Sequence, residues 1–318
     1  MDIRDRRGLK NAATQALQKA LPDYRKLVLQ HAAVLAGASL ILAILNTVLE
    51  YGIGSTGGIS GMGLRGVLTA IQSFLSTAVT FVLPFWQLGL IFTGIRTARG
   101  QSSDFSTLTQ GFRRVGPLLR LMLLRLVLYF AVGMACANLS SIFSMFFPTS
   151  DAAAQALLTA QEQLLADPEA VIDPALLQVV LLDMIPVLIL TLLLYGVVCI
   201  HLEYRFRFAN YLALDEVKVG AIRAVQLSNF ITKGSKWQLF KLDLSLWWYY
   251  ALQIVLTVIC LGNLYLPGGA VTYWVCYVVY LAGTLVLAWF AEPYIQTVYA
   301  TAYDRLRQKL IPPEEQEI

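Results

Sequence analysis

The sequence contains 318 residues, of which 57% are hydrophobic and 14% are charged, and its formal net charge is +4. With a mean hydropathy of +0.63, the chain is too apolar for a soluble globular protein of ordinary composition. The four cysteines fall within apolar runs and form no CxxC spacing, which argues against a disulfide framework or a metal site. We therefore expect an all-α, polytopic membrane protein.

Charge-poor runs divide the chain into segments of the length that a membrane crossing requires. A bilayer core of about 30 Å needs about 20 helical residues. The turn GNLYLPGG, from Gly262 to Gly269, divides the last long apolar run in two. The sequence thus predicts six transmembrane helices with the approximate spans 27–49, 67–95, 117–147, 175–201, 244–262 and 270–298.

Positive residues are unevenly distributed among the predicted connections. Lys and Arg cluster before the first span and after the second and fourth, whereas the acidic segment from Pro148 to Leu177 contains neither. By the positive-inside rule, both termini face the cytoplasm. This predicts a cytoplasmic amphipathic segment (1–26), a six-helix domain in the cell membrane (27–300) and a cytoplasmic tail (301–318). The asymmetry favours contact with the lipid bilayer and with anionic lipid rather than with nucleic acid.

The amino-terminal segment has the periodicity of an amphipathic helix. A set of apolar residues recurs at helical spacing opposite Lys10, Asn11 and Lys19, which is typical of a helix with one apolar face. The set is Leu9, Ala12, Ala13, Ala16, Leu17 and Ala20. One interpretation places this face on the inner leaflet of the membrane. The alternative is that the segment is the solvated lead-in to the first span.

Three polar residues within predicted spans form a candidate intramembrane polar site: His31 and Asn46 in the first span, and Asp183 in the fourth. Polar groups in a membrane helix prefer the interior of the bundle. A carboxylate at bilayer depth costs about 3 kcal/mol or more unless it is paired or faces water. We expect Asp183 either to form an ion or proton site or to fix helix packing as a protonated or hydrogen-bonded residue.

Charged residues near the predicted inner ends of the helices are candidates for ion pairs. Arg120 and Arg125 lie in the first turns of the third span, while Asp243 and Glu292 lie near the inner ends of the fifth and sixth. We expect Asp243 and Glu292 to pair with Arg120 or Arg125, because charges at this depth are rarely left without a partner.

Basic residues of the amino-terminal segment and of the connection after the fourth span form a candidate surface for lipid or a partner. These residues are Arg4, Arg6, Arg7, Lys10, Lys218, Arg223, Lys233 and Lys236. A Lys or Arg near an anionic leaflet contributes about 1 kcal/mol to binding. The alternative is that these charges set the topology during insertion and have no later role.

Several stretches carry a family resemblance. The run from Phe208 to Trp248 contains FANYLALDE, Ser228 and KGSKWQLFKLDLS, and EPYIQTVYATAYDRL follows near the carboxyl terminus. With the opening LKNAATQALQKALPDYRKLV, they resemble a bacterial multi-pass membrane family catalogued as domain of unknown function 975. The resemblance covers most of the chain and implies a multi-pass topology. It implies no reaction, because the activity of that family is uncharacterised.

The sequence contains no recognisable motif for catalysis. The histidines are His31 and His201, and no HExxH, G-x-S-x-G or phosphate-loop pattern occurs. We therefore expect a non-enzymatic protein, without catalytic residues, metal or cofactor, that binds a membrane protein complex or anionic lipid. The alternative is a small transporter or permease-like subunit with Asp183 in a polar path. An intramembrane enzyme is a third and weaker interpretation.

Overall fold

The computed structural model describes residues 5–20, 23–48, 59–144, 150–166, 174–216, 219–264 and 269–310, which are mostly helical and contain no strand. The α-helices of the described residues are α1 (Arg6–Ala20), α2 (Asp23–Thr47), α3 (Ile59–Ala98), α4 (Phe105–Leu108), α5 (Gln110–Arg113), α6 (Val115–Ser144), α7 (Asp151–Ala166), α8 (Pro174–Phe206), α9 (Ala209–Asp215), α10 (Ala221–Thr232), α11 (Lys236–Leu244), α12 (Trp247–Cys260), α13 (Gly269–Phe290) and α14 (Glu292–Arg307). Short 3-10 helices at Leu261–Leu264 and Gln308–Leu310 follow α12 and α14.

Five helices in the described part of the chain are long and apolar enough to cross a membrane. They lie at Asp23–Thr47, Gly66–Ala98, Val115–Ile142, Leu182–Asp215 and Val271–Phe290. The number becomes six if α11 and α12 are counted together as one bent span. The prediction of an all-α protein with several helices of spanning length is confirmed, whereas six spans and the orientation of the termini stay predictions.

The segment predicted as the fifth span is bent in the structure. α11 ends at Leu244, α12 begins at Trp247, and the two helices are bent by 59°. α12 contains 14 residues, or about 21 Å at 1.5 Å per residue, which is shorter than the bilayer core of about 30 Å. Residues 244–262 therefore do not form one straight helix of spanning length.

The segment predicted as the sixth span contains parts of two helices. α13 ends at Phe290 and α14 begins at Glu292, with Pro293 in its first turn. Proline is favoured there because it has no N–H to leave unpaired. α14 continues to Arg307, so the first residues of the range predicted as a tail are helical. Residues 311–318 of that range lie outside the described residues.

The chain divides into two compact units, of which unit 1 comprises Met1–Leu121 and Arg205–Ile318. Within unit 1, α14 packs against α1 and α3, and α13 packs against α2 and α12. A buried hydrophobic cluster draws on α1, α2, α3, α4 and α13, and its members are Leu17, Tyr24, Leu27, Val28, Trp86, Leu90, Leu108 and Ala288. Unit 1 therefore has a core of its own.

The apolar face of α1 is covered by protein in unit 1. Leu9, Ala13 and Leu17 are buried, and the helix packs against α14. The interpretation that places Leu9, Ala13 and Leu17 on the inner leaflet is therefore wrong, because these side chains are 1%, 0% and 7% exposed. Ala12, Ala16 and Ala20 of the same predicted face are half-buried. The periodicity correctly indicated one buried face, but the surface that covers it comes from the other end of the chain.

Unit 2 comprises Met122–Tyr204 and contains α7 with most of α6 and α8. The side-chain oxygen of Ser150 accepts a hydrogen bond from the Ala153 N–H at 3.2 Å and so caps α7. Apolar side chains of α8 such as Leu192 and Val197 are exposed. Extended exposure of this kind is typical of a surface that contacts membrane or another protein.

Two glycines allow the short helices α4 and α5 to lie directly against α3. A Cβ atom at Gly89 would overlap the backbone carbonyl of Leu108, and one at Gly111 would overlap the carbonyl oxygen of Phe85. Any larger residue would thus require the backbone of a neighbouring helix to move. Glycine is the residue that permits such a close approach.

Gly89→Ala is expected to lower the thermal midpoint of the detergent-solubilised protein, because overpacking costs about 1–3 kcal/mol. Gly37→Ala is the matched control: nothing lies within 4 Å of its Cβ position in α2, and alanine favours a helix over glycine by about 1 kcal/mol. The control should leave the midpoint unchanged or raise it. Equal midpoints for the two variants would contradict the packing of α4 on α3.

Candidate functional site

Gly100 ends α3 and places Arg99 at the helix terminus. The φ angle of Gly100 is 69°, its N–H donates to the carbonyl oxygen of Thr97 at 3.0 Å, and the Gln101 N–H donates to that of Arg96 at 2.9 Å. This is a Schellman motif, in which the positive φ angle favours glycine. The local sequence therefore fixes the point from which the Arg99 side chain extends.

Two carboxylates from distant parts of the chain bind the Arg99 guanidinium. Nη1 and Nη2 donate to the two oxygens of Asp215, each at 2.7 Å. Nη2 also donates to Oδ1 of Asp304 at 2.6 Å, and Nε donates to the same oxygen at 3.1 Å. The planar guanidinium suits such forked contacts better than an ammonium group would. These bonds join the carboxyl ends of α3 and α9 to α14.

Arg307 and Tyr303 extend this set of contacts. Arg307 lies 3.4 Å from an oxygen of Asp215 and 3.1 Å from one of Glu216, and the Tyr303 O–H donates to Asp215 at 3.0 Å. Two guanidinium groups thus face three carboxylates. Together these residues form the Arg99 network, whose members are Arg99, Asp215, Glu216, Tyr303, Asp304 and Arg307.

Ionisation within the Arg99 network depends on the balance between burial and pairing. The hydrogen bonds to Asp215 contribute most to raising the pKa of Arg99, and Asp304 adds to them against the effect of partial burial. Burial raises the pKa of the Asp304 carboxyl, and Arg99 opposes that rise. Arg99 therefore stays charged, and its charge stabilises the carboxylates around it.

A second group of polar contacts surrounds Asp243 in α11. Nη2 of Arg207 lies 2.7 Å from Oδ1 of Asp243, and the Tyr299 O–H donates to the same oxygen at 2.7 Å. The Arg207 guanidinium carbon also lies 4.6 Å from the centre of the Tyr299 ring, a cation–π distance. The Tyr299 oxygen is 2.6 Å from that of Tyr250. These contacts fix α11 and α12 against α14.

A cation that the sequence did not predict lies beside Asp243. Arg120 or Arg125 was expected there, but Arg207, from the turn between α8 and α9, occupies the position. Arg120 is exposed on α6 and Arg125 is half-buried. The contributions of Arg120 and Arg125 to pairing stay predictions.

Glu292, at the start of α14, is held by neutral donors. The Tyr249 O–H donates to Oε2 of Glu292, and Nε2 of Gln296 donates to Oε1 at 2.7 Å. Nε2 of Gln253 in turn donates to the Tyr249 oxygen at 2.9 Å. These contacts join α12 to α14, a role different from the predicted pairing with an arginine.

His31 and Asn46 form two separate contacts between α2 and α3. The ring of His31 stacks on Trp86 with centroids 5.6 Å apart, and the indole N–H of Trp86 donates to the His31 carbonyl oxygen at 3.2 Å. Oδ1 of Asn46 accepts a hydrogen bond from Gln72 at 3.0 Å. Fifteen positions along a helix correspond to about 22 Å, so His31 and Asn46 do not share one polar site.

Asp183 in unit 2 holds the start of α7. Its two carboxylate oxygens accept hydrogen bonds from the Ser150 backbone N–H at 3.3 and 3.2 Å. Ser150 immediately precedes α7, and the amino end of a helix favours negative charge. This geometry supports the interpretation of Asp183 as a hydrogen-bonded packing residue.

The predicted basic surface is partly exposed and partly engaged by backbone oxygens. The Arg6 guanidinium donates to the Lys241 carbonyl oxygen at 3.4 Å, and Nζ of Lys10 donates to that of Ser245 at 3.3 Å. Lys236 is half-buried, and the exposed members are Arg6, Arg7, Arg223 and Lys233. Arg4 and Lys218 lie outside the described residues.

Sequence reasoning missed the Arg99 network as a set. Arg99 is 116 positions from Asp215 and 205 from Asp304, so no local spacing links them. A signal was nevertheless present, because Asp215 lies in FANYLALDE and Asp304 in YATAYDRL, two stretches that carry the family resemblance. Asp243 lies in a third, KLDLS. The stretches of the resemblance therefore meet around α14.

The described residues show an all-helical fold in which several apolar helices have the length to cross a membrane. Within those residues, no three His, Cys, Asp or Glu side chains are placed to hold a metal ion. The family model described as protein of unknown function (DUF975) matches residues 4–310, and the chain belongs to that family. Comparisons with curated proteins and with solved structures give no match.

Arg99→Gln is expected to reduce the free energy of unfolding by about 3 kcal/mol, because Asp304 loses its cation. This is the lower end of the range for a broken buried pair, since the Arg99 side chain is 26% exposed. Lys26→Gln is the control: it breaks a pair with Asp23 whose side chains are 63% and 85% exposed, and it should cost less than about 1 kcal/mol. Denaturant titration of the purified protein measures both losses.

A double-mutant cycle isolates the interaction between the two groups. Asp304→Asn made together with Arg99→Gln should destabilise the protein by less than the sum of the single changes, because neither charge is then left alone. Additive losses would contradict a direct interaction between Arg99 and Asp304.

Proposed function

We propose that this protein is a cell-membrane protein with a non-enzymatic binding or accessory role. Its basic face binds anionic lipid or an acidic membrane protein complex. The basic face lies in unit 1 and includes Arg6, Arg7, Arg223, Lys233 and Lys236. The proposal rests on one observation, which is that acidic and basic side chains in unit 1 differ in how many are exposed. Among the residues that the structure describes in unit 1, most acidic side chains are engaged in internal contacts, while a group of basic side chains is exposed.

The acidic side chains engaged within unit 1 are Asp215, Glu216, Asp243, Glu292 and Asp304. Asp5, Asp23 and Asp104 are exposed. Asp5 accepts a hydrogen bond from the Gly8 N–H at 2.9 Å, and Asp23 lies 3.7 Å from Lys26, whereas the Asp104 side chain makes no capping hydrogen bond to α4. The surface around α1 and α10 therefore carries an excess of positive charge. Such a surface attracts anionic lipid or an acidic partner.

The same proposal gives the orientation. Both termini, α1 and the α10–α11 segment face the cytoplasm, where anionic lipids give the leaflet a negative surface potential. The support is the charge distribution, since Lys and Arg are concentrated in these segments.

The alternative function is a small transporter or permease-like subunit in which Asp183 lies in a polar path. The Asp183 carboxylate accepts hydrogen bonds from the Ser150 N–H, so a role in helix packing explains this residue without a transport path. We therefore favour binding over transport.

The proposed orientation predicts which positions react with a thiol reagent. Ser102 and Gln161 are both exposed and can each be replaced by cysteine in a background without the four native cysteines. An impermeant reagent added to intact cells should modify Gln161→Cys and spare Ser102→Cys, whereas both should react after lysis. The reverse pattern in intact cells would contradict the orientation.

Replacing Arg223, Lys233 and Lys236 together by Gln should weaken binding of phosphatidylglycerol. Loss of about 1 kcal/mol per cation corresponds to about 150-fold in total at low salt, and the difference should shrink as salt rises. The control removes the same charge elsewhere, at Lys19, Lys26 and Arg113. The measurement is the ratio of phosphatidylglycerol to phosphatidylcholine that co-purifies from mixed micelles, with a parallel analysis of bound proteins. Unchanged lipids, partners and salt sensitivity would overturn the proposal.

A further inference from the structure

The exposed face of α11 combines aromatic, aliphatic and basic side chains. Trp237 and Leu244 are 65% and 59% exposed, and the rings of Trp237 and Phe240 stack with centroids 5.2 Å apart. Nζ of Lys241 lies 5.3 Å from the centre of the Trp237 ring. Tryptophan beside basic residues is typical of the level of the lipid headgroups. The 59° bend turns α11 away from the axis of α12, as expected of a helix at that level.

α1 brings further positive charge to this face. The Arg6 guanidinium reaches the carbonyl oxygen of Lys241 in the last turn of α11, and Nζ of Lys10 reaches that of Ser245 just beyond it. Carbonyl groups at the carboxyl end of a helix favour nearby cations. Arg6 and Lys241 are 235 positions apart in the sequence. Tertiary contacts therefore fix the position of Arg6 beside α11.

A cavity of about 260 Å³ lies between these side chains and is lined by Arg6, Trp237, Gln238 and Lys241. All four carry N–H groups that can donate hydrogen bonds, and none is a carboxylate. The nearest acidic residue in sequence, Asp5, is engaged with the Gly8 N–H. The lining contributed by described residues thus has the donor chemistry and the charge of an anion site.

We propose that this cavity binds the phosphate of an anionic phospholipid, with the acyl chains lying along Phe240 and Leu244. The inference rests on the proposed lipid-binding function and gives it a specific site. A volume of 260 Å³ is below the range of about 300–1,000 Å³ for drug-sized ligands, so the cavity accepts a headgroup phosphate and leaves the chains outside. The exposed apolar side chains beside it favour a phospholipid over free phosphate.

The electrostatics of α1 agree with an anion at this place. Partial burial lowers the pKa of Lys10, and the neighbouring positive charge of Arg6 lowers it further. A phosphate beside Arg6 would offset that repulsion.

The test measures the binding of one phosphatidylglycerol molecule to the full-length protein by mass spectrometry of the intact complex. Phosphatidylcholine with the same acyl chains and inorganic phosphate serve as the other probes. Arg6→Gln with Lys241→Gln should weaken binding at this site about 30-fold, from the contribution of two cations. The matched control, Lys26→Gln with Arg113→Gln, removes the same charge from exposed positions outside the cavity and the basic face and should change it less than about 5-fold. Arg6→Lys with Lys241→Arg keeps both charges and should restore binding, which separates a charge effect from a folding defect.

The outcomes distinguish this inference from the proposed function. If Arg223→Gln with Lys233→Gln weakens phosphatidylglycerol binding and the cavity pair does not, the site is wrong and the basic face still binds lipid. If neither pair has an effect, both proposals fail. Displacement of phosphatidylglycerol by inorganic phosphate at equal concentration would show a free-phosphate site and overturn the assignment to a lipid. Equal binding of phosphatidylcholine would overturn the preference for an anionic headgroup.

Discussion

Arg99 contacts Asp215 and Asp304 together, and this shared guanidinium constrains the remainder of unit 1. α14 is a helix with many polar residues, yet most of its length is buried between α1 and α3. Burying charged groups is costly unless each is paired and hydrogen-bonded. The Arg99 network satisfies this condition at the carboxyl half of α14, and the contacts of Glu292 satisfy it at the amino end. Between them, Tyr299 joins α14 to Asp243 and Arg207.

This pairing inside unit 1 has a consequence at its surface. Because the carboxylates near α14 are engaged internally, they do not offset the cations of α1 and α10. Protein covers the buried side chains of α1, which contradicts a direct membrane contact by these residues. The same packing directs the basic residues of α1 outward and brings Arg6 to α11. Fold stability and the proposed binding surface therefore depend on the same set of charges.

Local properties of the sequence were sufficient to predict the helices of spanning length. Hydropathy over about 20 residues depends on the segment alone, so the apolar core of Val271–Phe290 could be located without tertiary information. Glu292 and Pro293 also indicated a helix boundary in the sequence. The predicted sixth span nevertheless continued to residue 298, because aromatic and aliphatic residues follow that boundary. The bend between Leu244 and Trp247 carries no proline and was not predicted.

Pairing between distant residues could not be predicted in the same way. The sequence indicates that Asp243 needs a cation, yet several arginines near the same predicted membrane boundary were equivalent candidates, and Arg207 was not considered. Likewise, the periodicity of α1 shows one apolar face without showing whether lipid or α14 covers it. Hydrogen–deuterium exchange of the purified wild-type protein tests this part of the account most directly. We predict that amides of residues 292–307 and of α1 exchange as slowly as those of α3, as expected of buried helices. Exchange of residues 301–307 at the rate of an unstructured tail would contradict the central position of α14.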